Sequence, residues 1–464
     1  MKRRILFFLM AAVGLEALAA AQMRFDRWFN RYHDAVVYKT YMKSKGHAPD
    51  ATLDQAIELV RRIHDYSGGL HQIVYLVGWQ FDGHDSKYPD WSEVGEQCRS
   101  SLSDDPLTSL RRAMEKVQAY NADLSLHVNM NDAYTNAPSW QTYVANDLFC
   151  RQGDGTIVRG GEWGGEWSYR ISHVKEFQKG FAQKRIRALL EMLPDLKRSG
   201  TVHIDALFGQ GSEREGITAL DDFAAIVDIV DFWHAQGVDV TTEFLGRRDQ
   251  VGLFPMCYHL NMDEQMHLEV PPEVLCGGDD AWNTRRGCDY YDQHRAWMGA
   301  TPTPGSAYEE AWGIGSTRGD LNGSMLHDPH GLIERLFQTA FLFCYYNQSR
   351  AVRHWADAEH YVVERANGVV ADVRKADRHL TVTDHGRLVL DGGDCLLDLP
   401  HNGGTLLAFS QKGCDRTFTL PPAFARAEIL KGTRWPDGTA VALPVADGRI
   451  QLVLPPRTSL TLRR

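Results

Sequence analysis

The sequence predicts an α/β protein, a parallel sheet or barrel followed by an antiparallel β domain. Two observations predict it. From about residue 35 to residue 350, short β-branched or apolar runs alternate with longer stretches of helical period. From about Val352 no long helical period survives, and short alternating runs separated by Gly, Asp and Pro take over. The 464 residues accommodate such a plan, as one large barrel plus an accessory domain or as roughly three smaller domains. A composition of 43% hydrophobic and 24% charged residues is that of a folded globular chain and excludes disordered and collagen-like readings.

The elements follow in chain order. Lys2, Arg3 and Arg4 precede the apolar run Ile5 to Val13, and Ala17, Ala19, Ala20 and Ala21 follow. That is the layout of a secretory signal over residues 1–21, interrupted only by Glu16. The run falls short of the roughly 20 residues of a membrane anchor, so cleavage and no stable membrane insertion are expected. The protein is then secreted or periplasmic, with a sheet or barrel over 22–351 and a β-sandwich over 352–464. Strands are expected at Ala35 to Tyr38, Gln72 to Val77, Leu124 to Val128, Thr201 to Ile204, Val238 to Thr242 and Met256 to Leu260. Helices are expected at Leu53 to Ile63, Leu107 to Ala119, Val174 to Leu193, Ile217 to Ala235 and Leu332 to Phe343. In the fourth of these, Ile217, Leu220, Phe223, Ile226, Val227, Val230 and Trp233 recur at spacings of three and four and form one buried face, with Asp221 and Asp222 elsewhere. In the β domain the alternating runs are Leu380 to Val382, Leu388 to Leu390, Leu406 to Phe409 and Ile450 to Leu454.

Fifty Lys and Arg against 60 Asp and Glu give a net charge of −10, with no block of like charges. Nucleic acid is therefore not an expected partner, because no basic face exists to release counterions. Eight cysteines in an exported chain permit disulfides, Cys276 with Cys288 and Cys395 with Cys414 being nearest in sequence, and equally permit buried free thiols. The absence of any Cys-x-x-Cys or His-Glu-x-x-His pattern argues against zinc, and Asp328 in His327-Asp328-Pro329-His330 reads as a helix cap in preference to a metal motif. A calcium site built from scattered oxygens stays open. Serine-hydrolase and nucleotide-binding motifs are absent as well.

Asp205 follows Thr-Val-His-Ile and Glu243 follows Val-Asp-Val-Thr-Thr, so both stand at C-terminal ends of consecutive strands. In an α/β barrel that rim carries catalytic side chains. Neighbouring strands lie about 4.8 Å apart, which suits the separation of about 5–5.5 Å between the carboxyl groups of a retaining glycosidase. The competing reading is that such acids cap helices or meet solvent. Trp79, His84 and Asp85 follow the second strand, and His127 and Asn129 close the third. Indole covers an apolar sugar face, and the polar groups pair with hydroxyls. Taken singly, each of them is more often a satisfied buried residue. The doublet Gly160 to Trp167 is either a rim loop carrying Trp163 or Trp167 or a plain Gly-rich turn, and Trp282 stands in a second Gly-rich stretch, Gly277 to Asn283.

Gly83-His84-Asp85-Ser86 with Pro89-Asp90, then His127-Val128-Asn129 with Tyr134, then His203-Ile204-Asp205, then Thr241-Thr242-Glu243-Phe244, resembles in order glycoside hydrolase family 101, the endo-α-N-acetylgalactosaminidases, and the related family 129. The resemblance implies a (β/α)8 TIM barrel and hydrolysis, with retention, of α-linked N-acetylgalactosamine from Ser or Thr of O-glycans, with no cofactor. It makes Asp205 the nucleophile and Glu243 the acid/base. The sugar-contacting set becomes Trp79, His84, Asp85, His127, Asn129 and His203, with Trp163 and Trp282 on loops. Members of family 101 usually carry more domains than this chain has room for, so release of a disaccharide or of a single sugar stays open. A retaining α-glycosidase for another hexose and a non-catalytic glycan-binding protein are the other readings.

Overall fold

The computed structural model describes residues 28–242, 252–255, 264–269, 271–272, 295–297, 313–314 and 325–464. The expected leader, the expected strand at Met256 to Leu260, and Glu243, Trp282, Cys276 and Cys288 lie outside the described residues.

The apolar runs become parallel strands: β1 (Val36–Tyr41), β2 (Gln72–Val77) and β3 (Ala122–Asn129). A short strand β4 (Asp132–Ala133) and a hairpin of β5 (Arg159–Trp163) and β6 (Glu166–Arg170) intervene before β7 (Thr201–Asp205), β8 (Asp239–Thr242) and β9 (Gly313–Ile314). The sheet order is β8-β7-β3-β2-β1-β9, with parallel neighbours throughout, while β4, β6 and β5 form a separate three-stranded sheet. Every residue of β1 and β2 is buried, as expected where both faces of a parallel sheet are covered.

Local chemistry sets the helix ends. Leu53–Ser67 opens on a capping box, Thr52 Oγ1 accepting from Gln55 N at 3.2 Å and Gln55 Oε1 from Thr52 N at 2.9 Å, and stops at Gly68 with φ +70°. A Cβ on Gly68 would meet Thr405 of the C-terminal domain at 2.5 Å, so this helix stop is also a contact between domains. Asp105 caps Pro106–Lys116, with proline in the first turn.

Three helices depart from the apolar period. The stretch Val174 to Leu193 is two helices, His173–Gln178 and Phe181–Met192, separated by Gly180 at φ +78°. Leu332 to Phe343 spans a break at Thr339 between Pro329–Gln338 and Ala340–Tyr346. A single residue that leaves helical geometry does not disturb a count of apolar positions. The fourth helix runs Ala219–Ala235 because Thr218 and Asp221 form its capping box, which puts Ile217 before it. Leu220 in the first turn is 56% exposed, whereas Ile226, Ile229, Val230 and Trp233 are buried. Asp222 is buried too, its carboxylate 2.7 Å from His173 Nδ1 and accepting from Gln210 N at 2.9 Å. Periodicity cannot register a polar residue whose partners come from other elements.

The antiparallel domain opens with β10 (Ala351–Ala356), and consecutive neighbours pair through to β16 (Leu406–Ser410). Then come β17 (Cys414–Thr419), β18 (Ile429–Trp435), β19 (Thr439–Pro444), β20 (Arg449–Leu454) and β21 (Thr458–Arg463). β21, β18 and β19 extend the same sheet beyond β16, while β17 and β20 pair as a separate ribbon. A second apolar core, with Leu396, Leu406, Phe418, Leu430, Ile450 and Leu462, joins ribbon to sheet. Phe409 stacks on Phe337 at 4.9 Å, and Arg457 bonds Asp328 at 3.0 Å and Glu334 at 2.7 Å, which ties the sheet to Pro329–Gln338. Asp328 also accepts from Gly331 N at 2.9 Å, in the capping role that the sequence suggests.

Among the described residues Cys98, Cys150, Cys344, Cys395 and Cys414 are free thiols, so Cys395 and Cys414 are not bridged. Among them, too, no helix is long and apolar enough to cross a membrane.

Asp239, at the start of β8, is buried and anchors the chain before β1. Its Oδ2 accepts from Phe29 N at 2.8 Å and Asn30 N at 3.3 Å, with Tyr32 Oη at 3.2 Å, and His234 Nδ1 lies 3.3 Å from Oδ1. Burial outweighs these donors and pushes its carboxyl up to about 7. A carboxyl raised in the folded state is ionised first in the unfolded chain. Stability is therefore lost as pH rises from about 4 to about 7, by on the order of 2–4 kcal/mol from this group. Urea unfolding of Asp239→Asn at a series of pH values should show a flatter dependence across that window than the parent protein.

Candidate active site

The parallel register of β3 and β7 pairs His127 with His203 and Asn129 with Asp205. Side chains two apart on a strand share a face, so the register alone stacks an imidazole layer beneath an amide and carboxylate layer. The rings of His127 and His203 lie 5.0 Å apart, and Asn129 Nδ2 donates to Asp205 Oδ2 at 3.1 Å. Asp205 ends its strand, and Ala206 follows at φ +45°, a costly backbone for alanine. Thr242 holds this turn: its Oγ1 donates to Ile204 O at 2.7 Å and accepts from Leu207 N at 3.2 Å. His203 Nδ1 pairs with Thr241 Oγ1 at 2.9 Å, so β8 fixes both layers of β7.

After β2 the chain turns at Gly78, φ +73°, where a Cβ would come within 1.9 Å of Lys43 O. Only glycine fits there. The loop then returns along the segment after β1, with His84 N donating to Lys43 O at 2.8 Å. This places the His84 ring 5.2 Å from that of His127, edge-on, with Nδ1 3.1 Å from Tyr88 Oη and Nε2 3.5 Å from Asp85 Oδ2. Tyr134 Oη reaches Asp85 Oδ1 at 3.5 Å, and His127 Nε2 lies 3.9 Å from Asp205 Oδ1. Burial first, then the charge of Asp85, followed by Asp205 at Tyr88 and Asp132 at Tyr134, push both phenols well above their ordinary value. Both stay neutral hydrogen-bonding groups at any working pH.

Asp205, Asn129, His127, His84 and Asp85 thus converge, and three of the expected sugar contacts are engaged within the protein instead. Trp79 is fully buried, with Nε1 donating to His127 O at 3.0 Å; it supports the floor of the site and has no open face for a sugar. His203 is fully buried in the layer below Asp205 and is likewise no direct contact. Asn129 has all its hydrogen-bonding groups engaged: Nδ2 donates to Asp132 at 3.0 Å as well as to Asp205, and Oδ1 accepts from Asn131 N and Asp132 N at 2.9 and 2.8 Å. It orients the carboxylate and does not bind hydroxyls. Trp163 stands on the β5–β6 hairpin, 48% exposed, beside Trp167 at 44%, with Gly164 and Gly165 making the turn at positive φ. Glu166 ties this hairpin to Lys45 at 2.6 Å, and Arg170 ties it to Asp132 at 2.9 Å.

Lys45, Tyr88, Asp132 and Arg170 are the residues that sequence reasoning missed. Asp132, three residues after Asn129, had a signal in the Asn-x-x-Asp spacing of a local side-chain turn; Arg170 and Lys45 had none, since they arrive through tertiary contacts. His84, His127 and Asp205 are the described residues whose donor atoms come nearest to a metal-ligand set, within 4.8 Å of one another. Cavities of about 280 and 340 Å³ lie elsewhere, one beside Phe337 and Phe409 and the other beside His234 and Asp239.

Residues 20–254 match the family model of glycoside hydrolase family 101, described as endo-α-N-acetylgalactosaminidase. Among solved structures, the α-N-acetylgalactosaminidase NagBb from Bifidobacterium bifidum is similar in fold. Its GalNAc complex has a TM-score of 0.55 at 15% identity over 79% of this chain and 60% of that one. Its Gal-NHAc-DNJ complex has 0.55 at 14% over 78% and 60%, and a quadruple mutant 0.55 at 14% over 82% and 62%. This chain thus spans about three fifths of the length of the structures it matches.

The contrast between the two indoles is testable by urea unfolding. Trp79→Phe removes a buried donor and leaves a gap, and should cost about 1–3 kcal/mol; Trp163→Phe, on an exposed hairpin, should stay within about 0.5 kcal/mol of the parent.

Proposed function

The chain belongs to glycoside hydrolase family 101, the endo-α-N-acetylgalactosaminidases, and from that premise we propose that it is an exported retaining glycosidase that releases α-linked N-acetylgalactosamine, alone or as Galβ1,3GalNAc, from Ser or Thr of O-glycans. Asp205 is the nucleophile and Glu243 the acid/base. The observation that carries this reading is the Asp205 carboxylate at the end of β7, held by an amide donor and flanked by His127, with His84 and Asp85 on the adjoining loop.

In the first half-reaction Asp205 attacks the anomeric carbon while Glu243 gives its proton to the glycosidic oxygen, which leaves as the Ser or Thr hydroxyl. In the second, Glu243 takes a proton from water, which displaces Asp205 from the same carbon. The amide of Asn129 favours the ionised carboxylate that attack requires. Retention is supported by the adjacency of β7 and β8: Ile204 pairs with Thr242, and Glu243 is the next residue in the chain. Asp85 and His84 supply an acceptor and a donor for sugar hydroxyls, and the exposed Trp163 supplies an apolar face for the glycan. The order of the six described parallel strands, with β9 beside β1, supports the expected (β/α)8 barrel.

A panel of nitrophenyl α-glycosides and a Galβ1,3GalNAc conjugate tests the reading. Hydrolysis should require the 2-acetamido group, and proton NMR should show the α-anomer released first. Asp205→Asn and Glu243→Gln should each lower kcat by more than about 10³-fold. Release of the β-anomer first, or equal rates on galactosides, would overturn it.

A further inference from the structure

Asp132 contributes to the site without being one of the residues that meet at Asp205. It is 4% exposed and divides its carboxylate between two sides. Oδ2 accepts from Asn129 Nδ2 at 3.0 Å, while Oδ1 accepts from Ser168 Oγ at 2.7 Å and Arg170 Nη1 at 2.9 Å, both on β6. Asn129 offers two amide hydrogens, one for Asp132 and one for Asp205. Its oxygen is held by two backbone N–H groups, so a turned amide would set its oxygen against two carboxylates and its NH₂ against two donors. The donor orientation toward Asp205 therefore follows from the network.

We propose that Asp132 is the positioning residue of the nucleophile: anchored by Ser168 and Arg170, it holds the Asn129 amide so that an N–H always points at Asp205. This rests on the reading of Asp205 as nucleophile. The three-stranded sheet that carries the exposed Trp163 hairpin thereby also braces the reacting carboxylate, since β6 pairs with β4, where Asp132 lies.

Asp132→Asn tests the proposal, because an amide in that place can accept on one side only, and Arg170 will hold its oxygen. The NH₂ then faces the NH₂ of Asn129 and turns it from Asp205. The ionisable and charged groups around the pair are His84, His127, Tyr88 and Tyr134 about Asp205, and Arg170 and Tyr134 about Asp132. If Asp132 positions the nucleophile, kcat falls about 10–100-fold with KM within about threefold. The acid limb of the pH profile moves up by about one unit, because a carboxylate that loses a donor ionises less readily. A downward move would mean that Asp132 acts only as a neighbouring negative charge, and an unmoved limb with a lowered Tm would mean a structural role; either overturns the proposal. Ser168→Ala keeps the charge and should shift the limb in the same upward direction with a roughly threefold loss of kcat, which covers the case in which Asp132→Asn does not fold. A titration needing no substrate separates this idea from the glycosidase reading: carbon-13 NMR of aspartate carboxyls, with the Asp205 signal assigned by its loss in Asp205→Asn. If the parent enzyme hydrolyses none of the panel, the glycosidase reading fails, and the Asp205 titration in Asp132→Asn and Ser168→Ala still decides: an upward shift supports positioning, and no shift or a downward one overturns it.

Discussion

The register between β3 and β7 is the constraint on which the site depends. Pairing Asn129 with Asp205 and His127 with His203 sets a hydrogen-bonded amide and carboxylate above a layer of imidazoles. A slip of one residue would turn each of these side chains to the opposite face of the sheet. The register is protected from both sides. Trp79 donates to the backbone of β3 at His127, and Thr241 and Thr242 of β8 bind His203 and the turn after Asp205. The backbone cost of Ala206 at positive φ is thus borne by hydrogen bonds that belong to the neighbouring strand.

Burial at this site does two kinds of work. Below the carboxylates it removes water, which strengthens every hydrogen bond in the floor and makes each unpaired group expensive. Around them it keeps Tyr88 and Tyr134 neutral, so that Tyr134 meets Asp85 as an uncharged donor. The opposite end of the sheet shows the cost of the same effect at Asp239, where three donors do not offset desolvation. A buried carboxyl there closes the chain over the strand ends and leaves a pH dependence in stability.

The antiparallel domain braces the helices Pro329–Gln338 and Ala340–Tyr346, which pack against β1 and β9. Phe337 on Phe409, Arg457 on Asp328 and Glu334, and Gly68 against Thr405 extend this contact to the helix between β1 and β2. The loops at the C-terminal strand ends are therefore carried on a frame that is held independently of them. That is the arrangement in which loop residues carry chemistry at fixed geometry.

Legible in the sequence were the strands β1, β2, β3, β7 and β8 and the residues at their ends. Apolar runs such as Gln72 to Val77 need burial on both faces, and a strand of that kind ending in Asp205 or His127-Val128-Asn129 delivers polar groups to a rim whatever the rest of the chain does. Capping was legible for the same local reason at Asp328, as were the alternating runs of the β domain bounded by Gly and Asp. The tertiary structure alone decided which of those polar groups face a ligand and which face one another. Trp79, His203 and Asn129 read as sugar contacts because their residue types suit sugars, yet cross-strand register and the loop after β2 consume their hydrogen-bonding capacity inside the protein. Asp132, Arg170 and Lys45 carried little or no signal because their partners lie on other elements, far along the chain. Periodicity and motif spacing record what a residue does along its own strand or helix, and the direction of a shared proton between two chain segments is fixed only when those segments meet.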